Sequence, residues 1–159
     1  MKYDFLDSDV LSRLGALPVE ARLAMIARVE AGAYETLIEE LIPQVINQAG
    51  PRADEAANGI RTMARRIGCD AFCRQLRVCM SRQDSRPDLA AISCPTLVIC
   101  GQDDSLTPPD HAREIADGIA TAELLLIDTC NHYAPMEQPE AVTAALRRWL
   151  IDGEASNAS

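Results

Sequence analysis

The chain has 159 residues, 48% of them hydrophobic and 25% charged, which fits one globular domain with a buried core. Its net charge of -9 argues against nucleic acid and anionic membranes as main partners. The opening "MKYDFLDSDV" is too acidic for a secretory leader, and no apolar run nears the roughly 20 residues of a membrane span, so a soluble, cytoplasmic chain is expected. Its six cysteines are then expected as reduced thiols.

The first half reads as helices. "PVEARLAMIARVEAG" spaces Val19, Leu23 and Ile26 on one stripe, with Pro18 at its start and Gly32 at its stop. "YETLIEELIPQVI" puts Leu37, Leu41 and Val45 on a stripe, with Pro43 as the expected break. "PRADEAANGIRTMARRIG" aligns Ala56, Ile60, Met63 and Ile67 and stops at Gly68. Asp70 is placed to cap "AFCRQLRVCM", with Phe72, Leu76 and Cys79 facing inward. Residues 81–91 are polar and read as a junction.

The second half alternates. "TLVIC" (96–100) is an apolar run between Pro95 and Gly101, as for a strand buried on both faces. Thr107 is positioned to cap a helix opening with Pro108 and Pro109, with Asp110 as its capping box and Ile115 and Ile119 as its stripe. "ELLLID" (123–128) is a second strand, and "EAVTAALRRWLI" a final helix packing Val142, Leu146, Trp149 and Leu150. "DGEASNAS" (152–159) reads as a frayed polar tail. A strand–helix–strand crossover predicts parallel strands, whose carboxyl ends carry the site. Asp103 and Asp104 follow the first strand and His132 the second, so the two loops should meet.

From Ile92 to Leu150 the chain strongly resembles the C-terminal part of the α/β-hydrolase family. The residues that carry the resemblance are Gly101, Asp104 and Pro108 after the first strand, then His132, Glu137 and Pro139 after the second. It implies a partial α/β-hydrolase fold, in which residues 1–91 form a helical lid and residues 92–151 the end of the core. It implies further that Asp104 is the acid and His132 the base of a Ser–His–Asp triad acting on an ester-type bond of a small molecule. No cofactor or metal is implied. Asn131 stands where the family usually has glycine, and asparagine tolerates a left-handed backbone. The G-x-S-x-G elbow is absent: no serine lies between glycines after an apolar strand.

Simpler expectations accompany these. Asp103 reads as a solvated neighbour of the site and His111 as a solvated helix residue. Cys69, Cys73 and Cys79 fall short of the four ligands of a metal site and read as small buried thiols. Cys100 and Cys130 flank the site, but neither stands on an elbow that would present a nucleophile. Two functions remain open. One is a hydrolase whose Asp104–His132 pair works on a serine from another chain. The other is a truncated or repurposed module that self-associates or binds an N-terminal hydrolase half across an unpaired edge of strand 96–100.

Overall fold

The computed structural model describes residues 18–156, with side chains through Ile151. The start of the expected lid and the last three residues of the expected tail lie outside the described residues. Helix α1 spans Val19–Glu30, α2 Tyr34–Val45 and α3 Ala53–Met80. A 3-10 turn, Arg86–Ala91, leads to β1, Thr96–Gly101. Helix α4, Pro109–Gly118, β2, Ala122–Ile127, the short α5, Ala134–Glu137, and α6, Pro139–Ser156, follow. Helix α6 thus runs into the stretch expected as a frayed tail.

Helix α3 has two legs that meet at Gly68, where φ is 74° and ψ 166°. Only glycine occupies that region without strain, so the stop expected at Gly68 is a sharp break. Asp70 lies inside the second leg and does not cap it. Pro43 does not end α2 either: the helix continues for two residues, to Val45. A proline removes one backbone donor, and here the end of the helix is held from outside by the loops described below.

Strands β1 and β2 pair in parallel over their full length, from Thr96 with Ala122 to Gly101 with Ile127. Among the described residues the sheet has these two strands only, so each has an edge without a strand partner. Burial on both faces is therefore incomplete: Leu124 is 37% exposed. The helical stripes hold in part: Ile26, Leu37, Ala56, Ile60, Ile119 and Val142 are buried as expected. Leu37, Ile38 and Ile42 are buried in α2, whereas Leu23, Ile67 and Cys79 are exposed. In α4 and α6, Ile115, Leu146 and Leu150 are exposed, while Ala112, Val142 and Ala145 face inward.

The helical half has its own core. Ile38, Ile42, Ile46, Ala56, Ala57, Ile60 and Ala64 pack together, and the Tyr34 hydroxyl closes the cluster by donating to the Ala64 carbonyl at 2.8 Å. Ile26, Val29, Leu37 and Cys73 form a second cluster. Around the sheet, the buried group is Ile127, Cys130, Ala134 and Val142. No described helix is long and apolar enough to cross a membrane.

Candidate active site

The carboxyl ends of β1 and β2 carry the two loops that the spacing brings together. Gly101 ends β1, and its Cα lies against the carbonyls of Cys130 and Asn131. A Cβ there would collide with both, so glycine is required for the two loops to touch. The Asp103 amide donates to the Cys130 carbonyl at 2.9 Å and the Gln102 amide to Ile127 at 2.8 Å, extending the strand pairing into the loops.

Asp104 is buried, at 6% exposure, and all its partners are local or on the His132 loop. Oδ1 accepts the amides of Leu106 at 2.9 Å and Thr107 at 2.8 Å. Oδ2 accepts the Thr107 hydroxyl at 2.8 Å and lies 2.9 Å from His132 Nδ1. Burial pushes this carboxyl upward, but the Thr107 amide, the His132 ring and the Thr107 hydroxyl together hold it below the ordinary aspartate value. A carboxylate so fixed directs the Nδ1 side of the ring toward itself and leaves Nε2 as the nitrogen for chemistry. The His132 ring also stands edge-on to Tyr133, with centroids 5.5 Å apart.

Thr107 was expected as a helix cap. Its hydroxyl serves Asp104 instead, Pro108 occupies the cap position without a side-chain bond, and Asp110 pairs with Arg113. The D-x-x-T spacing was the available signal, because a short hydroxyl three residues after an aspartate folds back onto it.

The second support comes from the end of α2. The last carbonyls of a helix have no partner within it, and here the site loops supply partners. The Gln44 carbonyl accepts the Ser105 hydroxyl at 2.7 Å and Asn131 Nδ2 at 3.3 Å. The Val45 carbonyl accepts the His132 amide at 3.1 Å. Beyond the helix, the Asn47 side chain donates to Asp103 at 3.2 Å. Asp103 is thus exposed, as expected, but is also tied to the helical half.

Glu137 had a place in the motif but no role. It is 5% exposed and gathers three amides: Asn47 at 2.7 Å, Asn131 at 3.1 Å and Tyr133 at 3.0 Å. Three backbone donors satisfy its buried charge. The turn that presents His132 is therefore wound around a carboxylate.

Asn131 does not use the left-handed backbone that asparagine would tolerate. Among the described non-glycine residues, Thr129, at φ 52°, is the one with a positive φ. Asn131 is buried and used for its amide.

The two cysteines that flank the site are both buried. Cys130 is fully buried, and burial and nearby carboxylates push its thiol up to about 12. Cys100 is raised by burial as well. Both thiols stay protonated near neutrality, and the thiolate is the reactive form. All six cysteines are free. Cys73 is buried, but Cys69 and Cys79 are exposed, against the expectation of buried thiols. Among the described residues no group of three His, Cys, Asp or Glu side chains could hold a metal ion.

A cavity of about 680 Å³ opens beside β1, lined by Leu89, Ile92, Ile99 and Ile115 among its apolar residues and by Asp104 and His132. His111 lines it too and is half-buried, not fully solvated. A smaller hollow of about 330 Å³, lined by Val29, Cys69, Cys73 and Arg77, touches neither site residue.

The family model described as "Alpha/beta hydrolase family" matches residues 6–145. The chain belongs to the α/β hydrolase family. A thermophilic esterase from Thermogutta terrifontis superposes with a TM-score of 0.76 at 32% identity, over 84% of this chain and 50% of that one. The enol-lactonase from Burkholderia xenovorans LB400 superposes with a TM-score of 0.72 at 21% identity, over 83% of this chain and 50% of that one, which is a likeness of fold. In sequence, the 2-hydroxy-6-oxononadienedioate/2-hydroxy-6-oxononatrienedioate hydrolase of Paraburkholderia xenovorans is 34% identical over 79 residues, 49% of this chain and 27% of that protein. The chain of this α/β hydrolase spans about half the length of the solved relatives it matches.

Proposed function

We propose that this chain supplies the acid and base of a hydrolase acting on an ester-type bond, such as a carboxylic ester, thioester or lactone. The observation that carries the reading is the 2.9 Å contact of His132 Nδ1 with the buried Asp104, itself held by two backbone amides and a hydroxyl. A nucleophilic serine would transfer its proton to His132 Nε2 as its oxygen bonds the acyl carbon. Asp104 would hold the ring in the required tautomer and stabilise the imidazolium. The same proton would pass to the departing alcohol as the acyl–oxygen bond breaks, and water would release the acid by the reverse relay. The substrate is a small molecule, and the helical half is its lid.

The serine comes from a second polypeptide in this reading, because the sequence holds no G-x-S-x-G and the Ser105 hydroxyl is engaged by the Gln44 carbonyl. Among the described residues β1 has an edge without a strand partner, which favours a second reading, a non-catalytic module that binds another chain there.

Hydrolysis of p-nitrophenyl butyrate separates the two. The chain alone is expected to show no turnover above buffer. Mixed with a polypeptide carrying the N-terminal, elbow-bearing half of such a hydrolase, it is expected to turn over, and His132→Ala is expected to abolish that activity. Turnover by the chain alone that is lost in His132→Ala would refute the second-polypeptide reading. Binding of the two pieces without turnover would favour the module.

A further inference from the structure

We propose that Asn131 is a positioning residue for His132, acting as a three-way tie between the acid loop, the histidine loop and the end of α2. It rests on the assignment of Asp104 and His132 as acid and base, and its test reads imidazole geometry rather than turnover, so the two can fail separately.

Asn131 Oδ1 accepts the Ser105 amide at 3.2 Å, on the residue directly after the acid. Its Nδ2 donates to the Gln44 carbonyl at 3.3 Å, one residue before the carbonyl that accepts the His132 amide. Ser105 closes the triangle, since its hydroxyl donates to the same Gln44 oxygen. The amide orientation follows from its partners. Reversed, Nδ2 would face an N–H and Oδ1 a carbonyl, and both contacts would repel. The residue is 8% exposed, so a group removed from it leaves polar partners without water in easy reach.

Each contact restrains a different degree of freedom. The Ser105 bond sets how far the acid loop stands from the histidine loop. The Gln44 bond sets where both loops lie along the end of α2. Glu137 accepts the backbone amide of Asn131 at 3.1 Å, so the backbone at 131 stays restrained when the side chain is lost. A glycine here would supply none of the side-chain bonds. The tie is a property of asparagine, and it makes the separation of Asp104 and His132 depend on where α2 sits.

The test is solvent exchange of the imidazole Nδ1 proton of His132, followed by NMR on the full chain, with urea unfolding measured on the same samples. Asn131→Gly removes both side-chain bonds and is expected to speed this exchange about fivefold for each one lost, the factor for a hydrogen bond of ordinary net strength. Asn131→Asp keeps the acceptor toward Ser105 but sets a carboxylate against the Gln44 carbonyl. It is expected to speed exchange as well, and it stands in if the glycine variant does not fold. Ile60→Val, in the helical core, controls for lost stability and is expected to leave exchange unchanged. Wild-type exchange in Asn131→Gly and Asn131→Asp would overturn the proposal. So would equal acceleration in Ile60→Val, because the effect would then be one of general stability.

Discussion

The helical half and the sheet half close their cores differently. In the helical half, Leu37 is 2% exposed and Ala56 1%, and the two legs of α3 enclose residues from α1 and α2. In the sheet half, one parallel pair is covered by single helices, and six of the nine exposed large hydrophobics among the described residues lie there: Ile92, Ile115, Leu124, Leu146, Leu150 and Ile151. Helices satisfy their own backbone and need only a stripe of neighbours, whereas a strand needs neighbours on both edges and both faces. The sheet half therefore leaves more of its large apolar side chains exposed than the helical half does.

Single substitutions sharpen this contrast. Leu37→Ala should have the largest effect, about 2–5 kcal/mol of stability lost in urea unfolding, because it opens a cavity in a closed core. A loss under about 1 kcal/mol would mean that the helical half is looser than its packing indicates.

Asp104→Asn comes next, at about 1–3 kcal/mol near neutral pH, as the charge-assisted bonds to the His132 ring and the Thr107 groups weaken. Its pH dependence has a definite sign. The Asp104 carboxyl is held below its ordinary value, so it stabilises the fold above the unfolded aspartate value of about 3.9, and that contribution fades as pH falls through the lower folded value. The gap in stability between the natural chain and Asp104→Asn should thus be flat above about pH 5 and shrink below about pH 4. A gap that grows in acid would contradict the assigned contacts.

Leu124→Ala should have the smallest effect, under about 1 kcal/mol, because more than a third of the residue stays exposed at 37%. A loss of several times that amount, increasing with protein concentration, would show that this face is covered by a second copy in solution.

Much of this arrangement was legible in the sequence, for physical reasons that differ from element to element. The strands announced themselves by short apolar runs between Pro95 and Gly101 and before Asp128. The crossover between them dictated parallel pairing, and the pairing dictated that the loops after them meet. Topology therefore brings Asp103 and Asp104 to the loop beside His132, and the family resemblance singles out Asp104. The helix faces were less legible, since a stripe of aliphatic residues can rotate by one position without losing its period, as α2 does toward Ile38 and Ile42. The roles of Asn131 and Glu137 were hidden for another reason. Each acts through backbone groups, and the Gln44 and Val45 carbonyls and the Asn47 amide that complete the site leave no trace in residue identity.

The attachment of the site loops to the end of α2 also has a consequence for chain entropy. Asp104 and His132 are 28 positions apart, whereas the bonds from Gln44 to Asn131 and from Asn47 to Glu137 span 87 and 90. Loop-closure cost rises with the logarithm of separation, so spanning 90 positions instead of 28 costs about 1 kcal/mol more. One hydrogen bond of ordinary net strength, about 1 kcal/mol, offsets that difference. The end of α2 receives several, so remote anchoring leaves a net gain, and geometry near His132 is inherited from a segment that the chain visited almost ninety residues before.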